Sequence, residues 1–576
     1  MHIMVQAPTK TNRLTVQAEP IAENTTALRS LDWDRDRFDI EFGLQNGTTY
    51  NSFLIRGDKT ALIDTSHAKF RQLYIELLEG QIDPATIDYL IISHTEPDHS
   101  GLVPEILALA PHVTVIASKM ALQFLQNMVY KPFTQRAVKG GDQLDLGQGH
   151  VLEFIPAPNL HWPDTMFTHD QATGILFTCD AFGMHYCDER LFDEDLHAIE
   201  NDYRFYYECL MAPNARSVVN ALNRMEPFTI HTIATGHGPL LRIHLAEMVD
   251  RYRRWSQEQS QATTTVAVFY TSDYGYSDRL SQAIAQGITK ANVGAELVDL
   301  RATDLSEIQE IMSRVSGIVL GTPPANGPSA QEAQAALGVI LANIKEKQAF
   351  GVYEAFGDDD EPIIPLVGRF TSLGLAAGFP AIRVQSQPTA NIYKLCEESG
   401  TDLAQWLTRD KTIKLMKSTD VNLDKAMGRL AGGLYIITAH KGDLQSAMLA
   451  SWVSQASFTP LGLSIAVAKD RAIEALMQVG DTFVLNILEE GKYASLMRHF
   501  LQRFGPGEDR FVGVETLQAE NGSPILKDAL AFLECRVASR METPDHWLVY
   551  SVVEEGKVSN PEGLTAVHHR KVGNHY

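Results

Sequence analysis

The stretch LIISHTEPDHSGL, residues 90–102, runs an apolar segment into four metal-competent side chains, His94, Glu96, Asp98 and His99. With the preceding Ile87 and Tyr89 it reads as a buried strand that ends in a loop, and Ser100-Gly101 reverse the chain. The four groups therefore sit on irregular backbone, not on one face of a helix, and such backbone can turn all of them inward. Burying carboxylates without a cation is strongly unfavourable, so the stretch predicts a metal site. The competing reading is a solvated acidic loop with incidental histidines.

Upstream, FDIEFGLQNGTTYNSFLIRGDKTALIDT gives short alternating strands with turns at Asn46-Gly47 and Gly57-Asp58, followed by helical periodicity in FRQLYIELLEG. A sheet-rich α/β layer domain is expected to about residue 258, closed by the amphipathic LAEMVDRYRRWSQEQSQA. Three more candidate ligands stand at strand or loop ends: His161 in APNLHWPDTMFTHD, Asp180 in GILFTCDAFG and His237 in IATGHGPLL. Each alone has an ordinary explanation, as a core histidine, a turn aspartate or a loop histidine beside glycine.

The remaining chain separates into two further segments. TTVAVFYTSDYGYSDRLSQAIAQGI, VSGIVLGTPPANGP and QAFGVYEAFGDDDEPIIPL alternate strand and loop, as a parallel doubly wound sheet does, with sites at the strands' carboxyl ends. From about 421 the pattern is strands separated by turns, which suggests a closed or split barrel. At 576 residues the chain exceeds one hydrophobic core. A formal charge of −22 argues against nucleic acid and anionic membrane as partners. The first twenty residues lack the apolar core of a signal peptide, and no run reaches spanning length, so a cytoplasmic protein without integral membrane contact is expected. The five cysteines form no CxxC pair, which opposes structural disulfides, zinc ribbons and iron-sulfur clusters.

The order H-x-E-x-D-H, LHWPDTM, CDAFG, GHGP resembles the di-iron domain of the flavodiiron proteins. Hydrolases of the same fold carry H-x-H-x-D-H and usually bind zinc, whereas here the middle position is Glu96, a hard ligand suited to iron. The resemblance implies a multidomain α/β protein: a metallo-β-lactamase-like αββα di-iron domain over 30–258, a flavodoxin-like doubly wound FMN domain over 264–410, and a split β-barrel NAD(P)H:flavin reductase domain over 421–576. It further implies that His94, Glu96 and His161 hold one iron, that Asp98, His99 and His237 hold the other, and that Asp180 bridges them. Two ferrous ions bring four positive charges, which three carboxylates and a bridging hydroxide cancel.

For the flavins, Thr271, Ser272, Tyr274, Gly275, Tyr276 and Ser277 resemble the flavodoxin phosphate loop, where hydroxyls and backbone N–H groups meet a helix N-terminus. Simple helix capping is the alternative. Gly321, Thr322, Pro324 and Asn326 match the family's second flavin loop. The third loop departs: Ala355, Asp358 and Asp360 replace the serine, aromatic and glycine common there. In the last segment Ser451, Ser454, Ser457, Asn486 and His546 are the candidate flavin contacts, with FMN or FAD as cofactor. Strand alternation alone also explains the serines.

The resemblance covers nearly all the chain after the first thirty residues, and every iron-ligand position is filled. It points to the cyanobacterial A-type class, which reduces O2 to water as an electron outlet beside photosynthesis. NAD(P)H is the expected donor and ferredoxin a possible one, and the expected assembly is a homo- or hetero-dimer with a related chain. The rival readings are a nitric oxide reductase with the same ligands, a zinc hydrolase, and a non-catalytic partner in a hetero-oligomer.

Overall fold

The computed structural model describes residues 13–35, 37–38, 42–44, 46–129, 131–271, 276–301, 303–322, 330–345, 348–355, 363–384, 387–418, 421–543 and 545–570. The chain forms two compact units, Met1–Ala262 and Thr263–Tyr576.

In the first unit two sheets face each other. One has seven strands in the order Leu14–Ala22, Thr25–Asp32, Thr48–Arg56, Thr60–Ile63, Tyr89–Ile92, Thr114–Ser118 and Thr134–Val138. The other has five: Gln143–Gly147, His150–Pro156, Met166–Asp170, Ile175–Cys179 and Thr232–Thr235. Ile55, Ile63, Ile91 and Ile116 of the first pack on Phe154, Met166, Ile175 and Phe177 of the second, forming the central core. Helices Arg71–Gln81, Val103–Leu109 and Lys119–Met128 cover the outer face of the first sheet. Helices Leu196–Tyr206, Ala215–Met225 and Leu245–Ser260 cover the second. This αββα sandwich explains the composition of the inner strands. Ile175–Cys179 and Thr232–Thr235 are buried at every position, as strands covered on both faces must be.

The sheet starts well before the expected boundary at residue 30. Leu14–Ala22 and Thr25–Asp32 pair antiparallel around a turn in which Asn24 takes φ 56°, a conformation its short polar side chain tolerates. Pro20 interrupts the alternation that would have marked this hairpin in the sequence.

The second unit is built on two large sheets, with two small two-stranded ones beside them. The first is parallel, in the order Gly294–Asp299, Thr265–Tyr270, Gly317–Gly321, Ala349–Ala355, with Ala376–Ala377 and Ile382–Val384 both pairing beside the last. That is the doubly wound flavodoxin-like order, with sites expected where the strands end. The second sheet runs Leu444–Ala450, Tyr435–Lys441, Thr482–Ile487, Ala531–Glu542, His546–Val558, Leu461–Ala468, Val453–Phe458. Its first and last strands do not pair among the described residues, so the barrel is split. The stretch between 410 and 421, which the sequence reading left between domains, is largely helical: Ala390–Ser418 is one long helix and Val421–Met427 follows. No helix among the described residues is long and apolar enough to cross a membrane.

Candidate metal centre and flavin sites

The seven candidate ligands all lie in the first unit, five on loops that leave strand ends and two, Asp98 and His99, on a single helical turn where the sequence reading expected irregular backbone. Strand Tyr89–Ile92 ends just before His94, and a short helix, Pro97–Ser100, carries Asp98 and His99 back inward. Asp180 follows Ile175–Cys179 directly, and His237 follows its parallel neighbour Thr232–Thr235. Met166 N donates to Ser93 O (2.9 Å), and the Asn51 amide donates to Thr235 O and Gly238 O (2.9 Å each), so both sheets clamp the loops. Close approach also requires Gly236, because a Cβ there would stand 2.8 Å from His99 Cε1.

The structure brings all seven together around Asp180. One carboxylate oxygen, Oδ2, lies 3.3 Å from His94 Nε2 and 3.4 Å from His161 Nε2. Glu96 Oε2 is 3.1 and 3.0 Å from the same two nitrogens. The other oxygen, Oδ1, lies 2.9 Å from His99 Nε2 and 3.3 Å from His237 Nε2, and Asp98 reaches those two at 3.5 and 3.3 Å. Every histidine therefore presents Nε2, and one aspartate faces two ligand sets. Asp180 Oδ2 and Asp98 Oδ1 are buried and accept no hydrogen bond. Acceptors left in that condition inside a protein fit a bound cation.

Electrostatics agree with the geometry. Burial pushes each histidine down, but the carboxylates outweigh it: Asp164 and Glu96 hold His94 well above its ordinary value. Glu96 and Asp180 hold His161 at about 9, and Asp180 and Asp98 hold His237 at about 10. Burial pushes the carboxyls up, and the imidazoles reverse it, holding Glu96, Asp98 and Asp180 below the usual carboxylate range. Without metal the cluster is an ion-pair network; with metal, the same protons must leave.

Residues beyond the seven orient them. Asp164 Oδ1 lies 3.2 Å from His94 Nδ1, while its Oδ2 accepts from Thr95 N (2.9 Å) and Thr95 Oγ1 (2.5 Å). Thr49 O meets His237 Nδ1 at 2.6 Å. Trp162 places its ring edgewise on His94, with centroids 4.9 Å apart. These partners fix the tautomer that turns Nε2 inward. Asp164 and Trp162 both stand inside LHWPDTM, and their side by side position with His161 was the available sequence signal.

The flavin candidates are less gathered. Ser272, Tyr274, Gly275, Pro324, Asn326, Asp358 and Asp360 lie outside the described residues. Thr271 directly follows strand Thr265–Tyr270, buried, with its hydroxyl unpartnered. Tyr276 and Ser277 open helix Tyr276–Lys290, and Tyr353 OH reaches both Ser281 Oγ (2.5 Å) and Ser277 O (3.3 Å). Thr322 and Ala355 stand at the carboxyl ends of neighbouring strands, so the cradle's described parts share one edge. In the barrel, Ser451 is buried with an unpartnered hydroxyl, next to Trp452, whose ring centroid lies 5.1 Å from that of His546. Orphaned hydroxyls at both places fit a flavin. Ser454 is exposed, and Ser457 Oγ donates to Pro460 O (2.7 Å). Asn486 is committed inward: its amide donates to Ile436 O and Thr438 Oγ1, and its oxygen accepts from Leu526 N. That leaves it a strand-bridging residue with no group turned to a cofactor.

Residues 48–238 match the family model described as ODP family beta lactamase, and 427–574 match the flavin reductase like domain. Diflavin flavoprotein A 1 of Synechocystis sp. (strain PCC 6803) is 64% identical over 565 residues, covering 98% of each chain. The chain belongs to the diflavin flavodiiron family. A solved family member, the metal-soaked Flv1 flavodiiron core from Synechocystis sp. PCC6803, is 40% identical, covers 69% of this chain and 99% of its own, and superposes with a TM-score of 0.65. Membership makes this a flavoprotein oxidoreductase with a fused flavin reductase domain, and implies flavin and a di-iron centre.

Proposed function

We propose that this flavodiiron protein reduces O2 to water with electrons from NAD(P)H, as a cytoplasmic electron outlet beside photosynthesis. His94, Glu96 and His161 would hold one iron, Asp98, His99 and His237 the other, and Asp180 both. The observation that carries this reading is Asp180 itself, whose two oxygens face separate ligand sets 2.9 to 3.4 Å away. When bound, the flavins would split the electron pair of each hydride into single electrons and the irons would supply electrons in pairs to O2. The chain's own part is to hold that charge. Asp164 and Thr49 keep the imidazoles oriented, the four histidines are buried, and only the Glu96 and Asp98 carboxylates reach partly toward solvent.

FMN would take the phosphate loop at Thr271–Ser277, and FMN or FAD the barrel at Ser451 and His546. Glu96 in place of an imidazole supports iron over the zinc of hydrolases. The test compares O2 and NO consumption by iron-loaded protein supplied with NADH or NADPH. The reading expects O2 uptake to exceed NO uptake and to yield water, not peroxide; faster NO turnover would move the assignment to a nitric oxide reductase.

A further inference from the structure

Within the second unit the two candidate flavin sites lie at opposite ends of one helical layer. Parallel strands place Thr271, Thr322 and Ala355 at the carboxyl edge of the flavodoxin-like sheet, where helix Tyr276–Lys290 begins. That helix ends at the amino edge, since Gly294, just beyond it, donates to Thr264 O and pairs with Thr265. Its fifteen residues span about 21 Å at about 1.5 Å per residue.

The barrel is joined at the far end. Lys290 Nζ lies 2.5 Å from Glu397 Oε1 of the long helix and 2.6 Å from Glu474 Oε2 of the barrel. Glu474 also pairs with Arg540, which stacks on Trp547 at 4.2 Å. Lys394 Nζ also lies 3.5 Å from Glu397 Oε1, so three cations surround the two carboxylates. Glu397 and Glu474 are 7% and 3% exposed, and Lys290 holds both below the usual carboxylate range against burial. Along the long helix the contacts are ordered: Glu398 accepts from Gly507 N (3.1 Å), Asp402 meets Arg503 (2.9 Å), and Gln405 donates to Asp470 (2.8 Å). Asp470 lies two residues beyond Ala468, which pairs with His546. Two residues past Gln405, Leu407 reaches Gly317, at the amino edge of the sheet. The candidate site at Trp452 and His546 is thus turned toward the edge remote from Thr271 and the start of helix Tyr276–Lys290.

Resting on the reading that both domains bind flavin, we propose that the joint of Lys290, Glu397, Glu474 and Arg540 holds the two sites of one chain apart, so that each barrel passes its electrons to the flavodoxin-like domain of a second copy. NAD(P)H and a proton reduce the barrel flavin to its dihydro form, releasing NAD(P)+. Two electrons and two protons then pass to the FMN of the other chain, and the barrel flavin is reoxidised.

The test co-expresses two full-length variants with different tags: Ser451→Tyr, which fills the barrel cradle, and Thr271→Asp, which sets a charge against the FMN phosphate. The co-purified mixture is expected to recover a quarter to a half of wild-type reduction of the flavodoxin-type flavin by NAD(P)H, while each variant alone shows under a tenth. No recovery in the mixture, with each variant keeping its own half-reaction, would overturn the proposal. Wild-type NAD(P)H oxidation with ferricyanide, measured beside them, reports separately on the parent reading. Cross-linking of isotopically light and heavy protein, mixed and reassembled, gives a readout free of activity: links from the barrel to the first turn of helix Tyr276–Lys290 should join light to heavy chains. Such links confined to single chains would equally overturn it.

Discussion

At the scale of single residues, the cluster was legible because its composition is unusual: few reasons other than a cation place His94, Glu96, Asp98 and His99 in six consecutive positions. The orienting residues were not legible, because an aspartate such as Asp164 looks like a turn residue until its distance to His94 is known. Asp164→Asn keeps the shape and weakens the acceptor, so iron affinity is expected to fall about 10- to 100-fold, measured by chelator competition, with flavin content unchanged. Gly236→Ala drives a methyl into His99 and is expected to cost about 1–3 kcal/mol in urea unfolding.

The raised histidines also set a pH dependence. In metal-free protein their contribution to stability is complete below the ordinary value of 6.5 and is lost as pH rises through about 9 to 10 for His161 and His237. The depressed carboxyls contribute above their ordinary values of 3.8 to 4.5 and lose that contribution as pH falls through the lowered ones. Because iron displaces the imidazole protons, its affinity is expected to rise between pH 6.5 and about 10, with proton release on binding that calorimetry in two buffers would record.

Among elements, strands that alternate or run wholly apolar were readable, and their carboxyl ends located the sites. The hairpin before residue 30 was obscured by Pro20, and the helical continuation to Ser418 by a polar sequence that resembles a linker. Asn486 misled for a related reason: a polar residue in an apolar strand signals either a ligand contact or a cross-strand hydrogen bond, and only the partners Ile436, Thr438 and Leu526 decide it. Tyr353 ties strand Ala349–Ala355 to the first two turns of helix Tyr276–Lys290. Tyr353→Phe is expected to cost about 1 kcal/mol and to weaken FMN retention severalfold, read by flavin released on gel filtration.

For the whole molecule, the proposed function would assign hydride chemistry to the barrel and oxygen chemistry to the sandwich, with the flavodoxin-like domain between them in the electron path. The carboxylates of the joint at Lys290 are buried, so removing Lys290 leaves Glu474 to Arg540 and Glu397 to Lys394 and takes away the one cation that both share. Lys290→Met is expected to slow NAD(P)H-driven reduction of the flavodoxin-type flavin about tenfold while barrel-only ferricyanide reduction stays within twofold, a contrast that stopped-flow absorbance would show.

The account rests on one carboxylate serving two metal positions. The most direct measurement is metal content with Mössbauer spectra of anaerobically iron-reconstituted wild type and Asp180→Asn. It predicts two irons per chain in the wild type, magnetically coupled, and no coupled pair in the variant, whose barrel still oxidises NAD(P)H. Zinc as the sole occupant after iron loading, or a coupled iron pair with undiminished O2 uptake in Asp180→Asn, would contradict it.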